Sequence, residues 1–404
     1  MSNNPALGED RRRAGIVLLC ASCMTILASI LIVPVLVKFR AAFEDVPHVD
    51  IWVGLVLAAP ALVTGLSAPF FGRFIDRFGR RMPLIVGTVL YGVFGMLPYA
   101  LDDIRWIAAS RFVFGFAEAV VMTSCTALIG DYYEGAERER YLNLQMRFIG
   151  VAGTLLFLAS GILGEWGWRL PFLLYGGVFL LLPFLFRLTE PSHISRIDSL
   201  GMQMTRFRSR RLWPQVLVVL FGMLLVYAAP VQYPFLMARI GLESTTLLGL
   251  GSAFGILATV AGTLLWPKLR KRWSAHAVNI VTFAFLSLGL LMLAYAPNFG
   301  LSLLALAVHG FGAGMLVPNT MAWTMENIRP WHMGTATGTI YFGLYLGQFL
   351  SPFVVNVVAA LGAGLVGAFV WLVVSGVVAM GFAALALGRW RSRQARERGY
   401  LLRW

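Results

Sequence analysis

Charge is scarce in this chain. Asp, Glu, Lys and Arg make up 13% of its 404 residues, against about 25% in a soluble domain. That shortage excludes a surface facing water on all sides. Acids are the rarer sign, 19 against 33 Lys and Arg, and all but one of the acids fall in connecting segments or at the ends of apolar runs. Cysteine is rarer still, and three residues exclude a disulfide framework. Cys20 and Cys23 form a C-x-x-C pair inside an apolar run, where small apolar fillers are expected rather than a redox or metal site. No His/Glu or Cys/His metal spacing, no nucleophile motif and no G-x-x-x-x-G-K-S loop is found. Neither a metal, another cofactor nor ATP is therefore expected.

What the chain has instead is apolar length. Hydrophobic residues make up 58% and the mean hydropathy is +0.75. A membrane span needs about 20 apolar residues. Runs of that order lie near 14–37, 51–71, 82–101, 104–130, 141–163, 170–188, 212–236, 245–266, 277–296, 299–325, 334–360 and 364–388. An all-α membrane protein with twelve spans is expected. The first run is too long for the core of a signal peptide, so it reads as a span although Arg11, Arg12 and Arg13 precede it.

The basic residues set the orientation. With the N-terminus inside, 26 of the 33 Lys and Arg fall in cytoplasmic segments, and Lys38, Arg40, Arg105, Arg169 and Arg239 fall outside. This bias places both termini in the cytoplasm. It also accounts for the excess positive charge without a nucleic-acid partner. The longest polar stretch, 189–211, carries Pro191 and the basic run Arg206 to Arg211. It reads as a cytoplasmic linker, solvated or lying on anionic lipid, between a six-helix half at 1–188 and a second at 212–404 that ends in a basic tail.

The halves repeat at an offset near 195 residues. GRFIDRFGRRMPLIV (72–86) and PKLRKRWSAHAVNIV (267–281) are both basic and lead into apolar runs. Gly115 falls opposite Gly310, and Gly153 nearly opposite Gly347. Two parallel six-span repeats are one architecture of secondary transporters, with the substrate near the midplane.

The loop after the second run reads Gly72-Arg73-Phe74-Ile75-Asp76-Arg77-Phe78-Gly79-Arg80-Arg81. It is similar to the G-x-x-x-D-R-x-G-R-R signature between helices two and three of the major facilitator superfamily. Arg111-x-x-x-Gly115 resembles a motif of that superfamily's proton-coupled exporters. Gly167-Trp168-Arg169 with Pro171-Phe172 resembles its usual entry to helix six. The Gly-Pro-x-x-Gly-Gly stretch typical of its antiporters is absent, the matching positions being Leu156-Phe157-Leu158-Ala159-Ser160-Gly161. The resemblance implies two pseudo-symmetric halves that work by alternating access. It also implies a cytoplasmic latch formed by Gly72, Asp76, Arg77, Gly79, Arg80 and Arg81, with Asp131 at the end of the fourth span. An Asp among guanidinium groups stays ionised and can bridge two helices. Gly72 permits a close approach and Gly79 a tight turn.

Glu118 is the one acid in the middle of a span. A charge at bilayer depth costs at least ~2.5–3.5 kcal/mol and marks a functional candidate. Arg111 lies seven residues earlier, on the same helix face and ~10 Å away along the axis. The pair reads as a proton carrier and the cation that tunes it, or as a structural polar pair. A substrate cavity is expected from polar stripes: Thr25 with Ser22 and Ser29; Tyr227, Gln232 and Tyr233 beside Pro230 and Pro234; His309 with Thr320; and Tyr341, Tyr345 and Gln348 ahead of Pro352. Arg147 either snorkels or points inward with Asn143 or Gln145; its depth differs from that of Glu118 by ~9 Å. The function expected is secondary active transport of a small organic solute, with proton-coupled export ahead of uniport or proton symport. A membrane-embedded enzyme and a channel are the alternatives from other classes. The expected partners are the solute, protons and lipid, around a monomer in a bacterial inner (plasma) membrane.

Overall fold

The computed structural model describes residues 5–24, 31–133, 135–188, 212–328 and 333–401. Within these, it leaves undescribed the side chains of 5–12, 68, 69, 71–78, 136, 138, 139, 142, 143, 146, 327, 333–335, 363 and 389–401. In chain order the α-helices are α1 (Pro5–Ser22), α2 (Leu36–Ala41), α3 (Val49–Phe78), α4 (Arg81–Met96), α5 (Ile104–Tyr132), α6 (Gly135–Trp166), α7 (Leu182–Leu185), α8 (Trp213–Ala238), α9 (Thr245–Arg272), α10 (Ala275–Ala294), α11 (Phe299–Asn327), α12 (Met333–Val358) and α13 (Gly364–Leu401). No strand occurs among the described residues.

Ten helices among the described residues are long and apolar enough to cross a membrane. The other two expected spans have shorter apolar helices, Arg13–Ser22 and Leu170–Leu185. The first run does not continue as one α-helix to Val37. Past residues 25–30, which are outside the description, a 3₁₀ turn at Val33–Val35 precedes α2. Pro34 stands in that turn and has no N–H to extend an α ladder. The sixth run is 3₁₀ from Leu170 to Leu181 before α7. At its end Pro183 has no N–H for the Phe179 carbonyl, and Leu182 donates to it instead, three residues on rather than four.

The chain divides into two compact units. Unit one holds residues 1–209 and 243–253, and unit two holds 210–242 and 254–404. Unit one includes the first turns of α9 because specific contacts tie them to α6. A Cβ on Gly161 would lie 2.6 Å from the Thr245 carbonyl oxygen, and the Thr245 hydroxyl donates to the Gly161 carbonyl at 2.7 Å. Glu165 Oε1 accepts from Ser244 Oγ at 2.6 Å and from the Thr246 N–H at 2.9 Å. The Thr246 N–H is one of the free backbone donors that a helix start offers to an anion.

Candidate functional site

The site in unit one begins with a glycine. A Cβ on Gly115 would lie 2.8 Å from the Pro60 carbonyl oxygen and 2.9 Å from Pro60 Cα. Only a residue without a side chain lets α5 cross α3 this closely. One turn beyond Pro60, Thr64 is fully buried and Glu118 is 4% exposed. The crossing brings Thr64 Oγ1 to 3.2 Å from Glu118 Oε2 and 3.1 Å from the Gly115 carbonyl oxygen.

That hydroxyl has one hydrogen and two acceptors. With Glu118 ionised, Thr64 turns its hydrogen to the carboxylate, and Gly115 keeps its intrahelical partner. With Glu118 protonated, the carboxyl donates to Thr64 Oγ1, and Thr64 donates on to Gly115. Both protonation states are thus hydrogen-bonded without moving a heavy atom. Thr64 was not singled out in the sequence, because it lies 54 positions from Glu118 and nothing local links them.

Unit two repeats the crossing without the acid. Gly310 and Gly255 stand 195 residues after Gly115 and Pro60, and a Cβ on Gly310 would lie 2.3 Å from the Gly255 carbonyl oxygen. Thr259 takes the place of Thr64, its Oγ1 3.1 Å from that same Cβ position. Ala313 takes the place of Glu118. The glycine crossing therefore forms without a carboxylate, and Glu118 is extra to the packing.

Arg111 does not accompany Glu118 as the sequence suggested. No ion pair joins them among the described residues. Arg111 is 2% exposed, and its Nη2 donates to the carbonyls of Phe94 and Gly95, the second at 3.1 Å. Its guanidinium lies 4.6 Å from the Phe114 ring centre and 5.6 Å from those of Phe172 and Tyr175. The reason lies in α4. In an α-helix the Phe94 carbonyl would accept from residue 98, which is Pro98 and has no N–H. A half-buried carbonyl without its helical donor takes another, and Arg111 supplies it. Side chains on a helix lean towards its N-terminus, which here carries Arg111 away from Glu118.

At the far end of α5, Arg80 pairs with Asp131, and Arg80 Nη1 donates to the Ala127 carbonyl at 2.8 Å. Gly79, at φ 84°, makes the left-handed turn between α3 and α4. Arg81 reaches the Phe186 carbonyl. The backbone of Gly72, Asp76 and Arg77 continues α3, while their side chains lie outside the described residues.

The polar stripes separate. Thr25 lies outside the described residues. Its neighbour Ser22 accepts from Gln145 Nε2 at 2.7 Å, both buried, whereas Arg147 is exposed. In unit two, Tyr227, Gln232 and Tyr233 are buried. Gln232 Nε2 donates to Asn356 at 3.5 Å, and the Tyr233 hydroxyl lies 3.5 Å from Ser302 Oγ. Tyr341 and Tyr345 are half-buried with rings 6.4 Å apart, one turn before buried Gln348. An apolar groove of about 810 Å³ also opens on unit two, lined by Phe221, Phe283, Trp323, Trp371 and Phe382. None of the stripe residues lines it. Among the described residues no group of His, Cys, Asp and Glu could hold a metal.

Comparison with known proteins agrees with this architecture. The model of the Major Facilitator Superfamily matches residues 17–352. The chain belongs to that superfamily: it is an integral membrane transporter. It is 27% identical over 379 residues to the tetracycline resistance protein, class C, of Escherichia coli, a match covering 89% of this chain and 93% of that protein. It is 32% identical over 189 residues to the vesicular acetylcholine transporter of Torpedo torpedo, across 45% of this chain and 36% of that one. Among solved structures, it matches a bacterial homologue of the human lysosomal transporter Spinster, inward-facing and unoccupied. There the TM-score is 0.78 at 16% identity, covering 96% of this chain and 98% of the other. It matches a D-xylose–proton symporter with a TM-score of 0.75 at 14% identity, covering 92% and 96%. Likeness at such identities shows the shared fold alone.

Proposed function

We propose that this chain exports a lipophilic or amphipathic small molecule in exchange for protons, by alternating access, with Glu118 as the proton carrier. The observation that carries the reading is the comparison of the two glycine crossings. Unit two makes the same crossing with Ala313, so a buried carboxylate that costs free energy at bilayer depth has no packing task to explain it. The hydrogen bond to Thr64 suits a group that must be satisfied both charged and neutral. Export of an amphipathic compound is supported by the near full-length similarity to a tetracycline resistance protein, which makes tetracycline the first compound to test. The basic segments support a bacterial inner membrane with both termini in the cytoplasm. In proteoliposomes with an imposed pH gradient, tetracycline should accumulate, and adding it should move protons in the opposite sense. Equilibration of tetracycline across the membrane without accumulation or proton movement would favour a carrier with no ion coupling, a reading that the missing Gly-Pro pair at Leu156–Phe157 also favours.

The pair Arg80–Asp131 is assigned here as part of a latch at the cytoplasmic end of unit one. It is partly exposed, at 28% and 16%, so it contributes about 1 kcal/mol. Asp131→Asn should slow turnover about fivefold while insertion and yield stay as in the wild type. A wild-type transport rate at equal expression would remove this pair from the mechanism.

The substrate contacts are assigned to the Tyr341–Tyr345–Gln348 stripe on α12. Amphipathic rings beside an amide suit a partly wet pocket for an aromatic solute. Tyr345→Ala should raise the KM for tetracycline by about tenfold, the effect of losing ~1.4 kcal/mol of ring contact, with little change in thermal stability. An unchanged KM for every transported compound would count against the stripe.

A further inference from the structure

His309 belongs to none of the contacts described so far. It is 4% exposed on α11, pressed against Gly289 of α10, where an added Cβ would lie 2.5 Å from His309 Cβ. Both of its ring nitrogens face backbone carbonyls. Nδ1 is 3.2 Å from the Leu286 oxygen on α10, and Nε2 is 3.2 Å from the Val226 oxygen on α8.

The Val226 carbonyl is open for the same reason as that of Phe94. Its helical donor would be residue 230, which is Pro230 and has no N–H. The pattern occurs a third time in this chain. Pro318 leaves the Gly314 carbonyl without its donor, and the Thr263 hydroxyl supplies one at 2.9 Å. At Phe94 the donor is an arginine, at Gly314 a threonine, and at Val226 a histidine.

Histidine differs from the other two because a neutral ring has one N–H. If Nε2 holds it, the Nδ1 lone pair points at the Leu286 oxygen. If Nδ1 holds it, the half-buried Val226 carbonyl is left without a donor. Only the ring with hydrogens on both nitrogens serves both carbonyls. The geometry points to His309 as a second proton-binding site, in unit two, whose bound proton ties α8 to α10 through α11.

Among the described residues no carboxylate shares this site. The titratable groups on α8 are Tyr227 and Tyr233; on α10, His276 in the first turn; on α11 itself, Glu326 in the last turn, paired with Arg270. In the part of α9 within unit two they are Lys268, Arg270, Lys271 and Arg272 near its end, and on the neighbouring α12, Tyr341 and Tyr345. The proton is held by two carbonyl dipoles, without a countercharge that would fix it. Its loss from Nδ1 breaks the contact with Leu286 while the Nε2 hydrogen stays on Val226, and so unties α10 from α8.

This inference rests on the proton-coupled reading only for its purpose, and its test is independent of Glu118. The test is 15N NMR of the histidine-labelled full chain in lipid bilayers, with His309→Gln identifying the signal to be followed. Both ring nitrogens of His309 should carry hydrogen at mildly acidic pH, and one should be lost on raising the pH while the protein stays folded. A ring with one N–H at every pH where the protein is folded overturns the proposal. Pro230→Ala returns a backbone donor to Val226, so His309 should then lose its second hydrogen already at mildly acidic pH; retention of both in that variant would also overturn it. Glu118→Gln should leave the His309 signals unchanged, so the two proton sites stand or fall separately.

Discussion

Glu118→Gln protein should still bind tetracycline and exchange it at equilibrium, yet fail to accumulate it when a pH gradient is imposed. The substitution keeps the shape and fixes the neutral form, and a driven proton flux needs a group that cycles between charged and neutral states. The amide can still accept from Thr64, so the crossing of α3 and α5 should persist and the protein should remain folded. Substrate-induced proton movement should fall to that of protein-free vesicles. Thr64→Val removes the hydroxyl that serves both states of Glu118 and should shift the pH dependence of transport without abolishing it. Gradient-driven accumulation by Glu118→Gln with the wild-type pH profile would show that Glu118 is not the carrier.

The second large effect is expected at Gly115. The atoms facing it belong to the Pro60 backbone, which cannot swing aside as a flexible side chain would. Gly115→Ala should therefore cost about 1–3 kcal/mol in overpacking, and it should also part Thr64 from Glu118. Gly310→Ala is the matched control, because it overpacks the equivalent crossing in unit two where no carboxylate is present. Both variants should melt at lower temperature in detergent. Only Gly115→Ala should also lose coupling per folded molecule. Equal coupling in the two, measured as protons moved per tetracycline, would detach the crossing from the chemistry.

The long apolar runs were legible because a span needs length and composition alone. The first and sixth runs were read too simply, since apolar content does not reveal where a run becomes 3₁₀, as it does around Pro34 and from Leu170 to Leu181. Glu118 stood out by being the one acid at its depth. Its partner Thr64 did not, because that contact depends on two helices touching at Gly115. Arg111 was placed beside Glu118 by helical periodicity, which gives the face of a residue but not the direction of a long side chain. What drew it elsewhere was the open carbonyl four residues before Pro98. That clue is present in the sequence, but it becomes useful only once the neighbouring helix is known.

The prolines of the spans also bear on how this chain tolerates change. Replacing Pro98 by alanine would ordinarily count as an improvement to a helix end. Here it would hand the Phe94 carbonyl a backbone donor and take from the buried Arg111 guanidinium one of its two carbonyl acceptors, where no carboxylate among the described residues pairs with its charge. Replacing Arg111 alone would strand the carbonyl instead. Each single change is harmful, while the double change, with an apolar residue at 111, removes both demands together. The proline and the distant side chain that answers it thus form one heritable unit. Sequences diverging from this one should be able to lose such a pair together far more readily than either member alone.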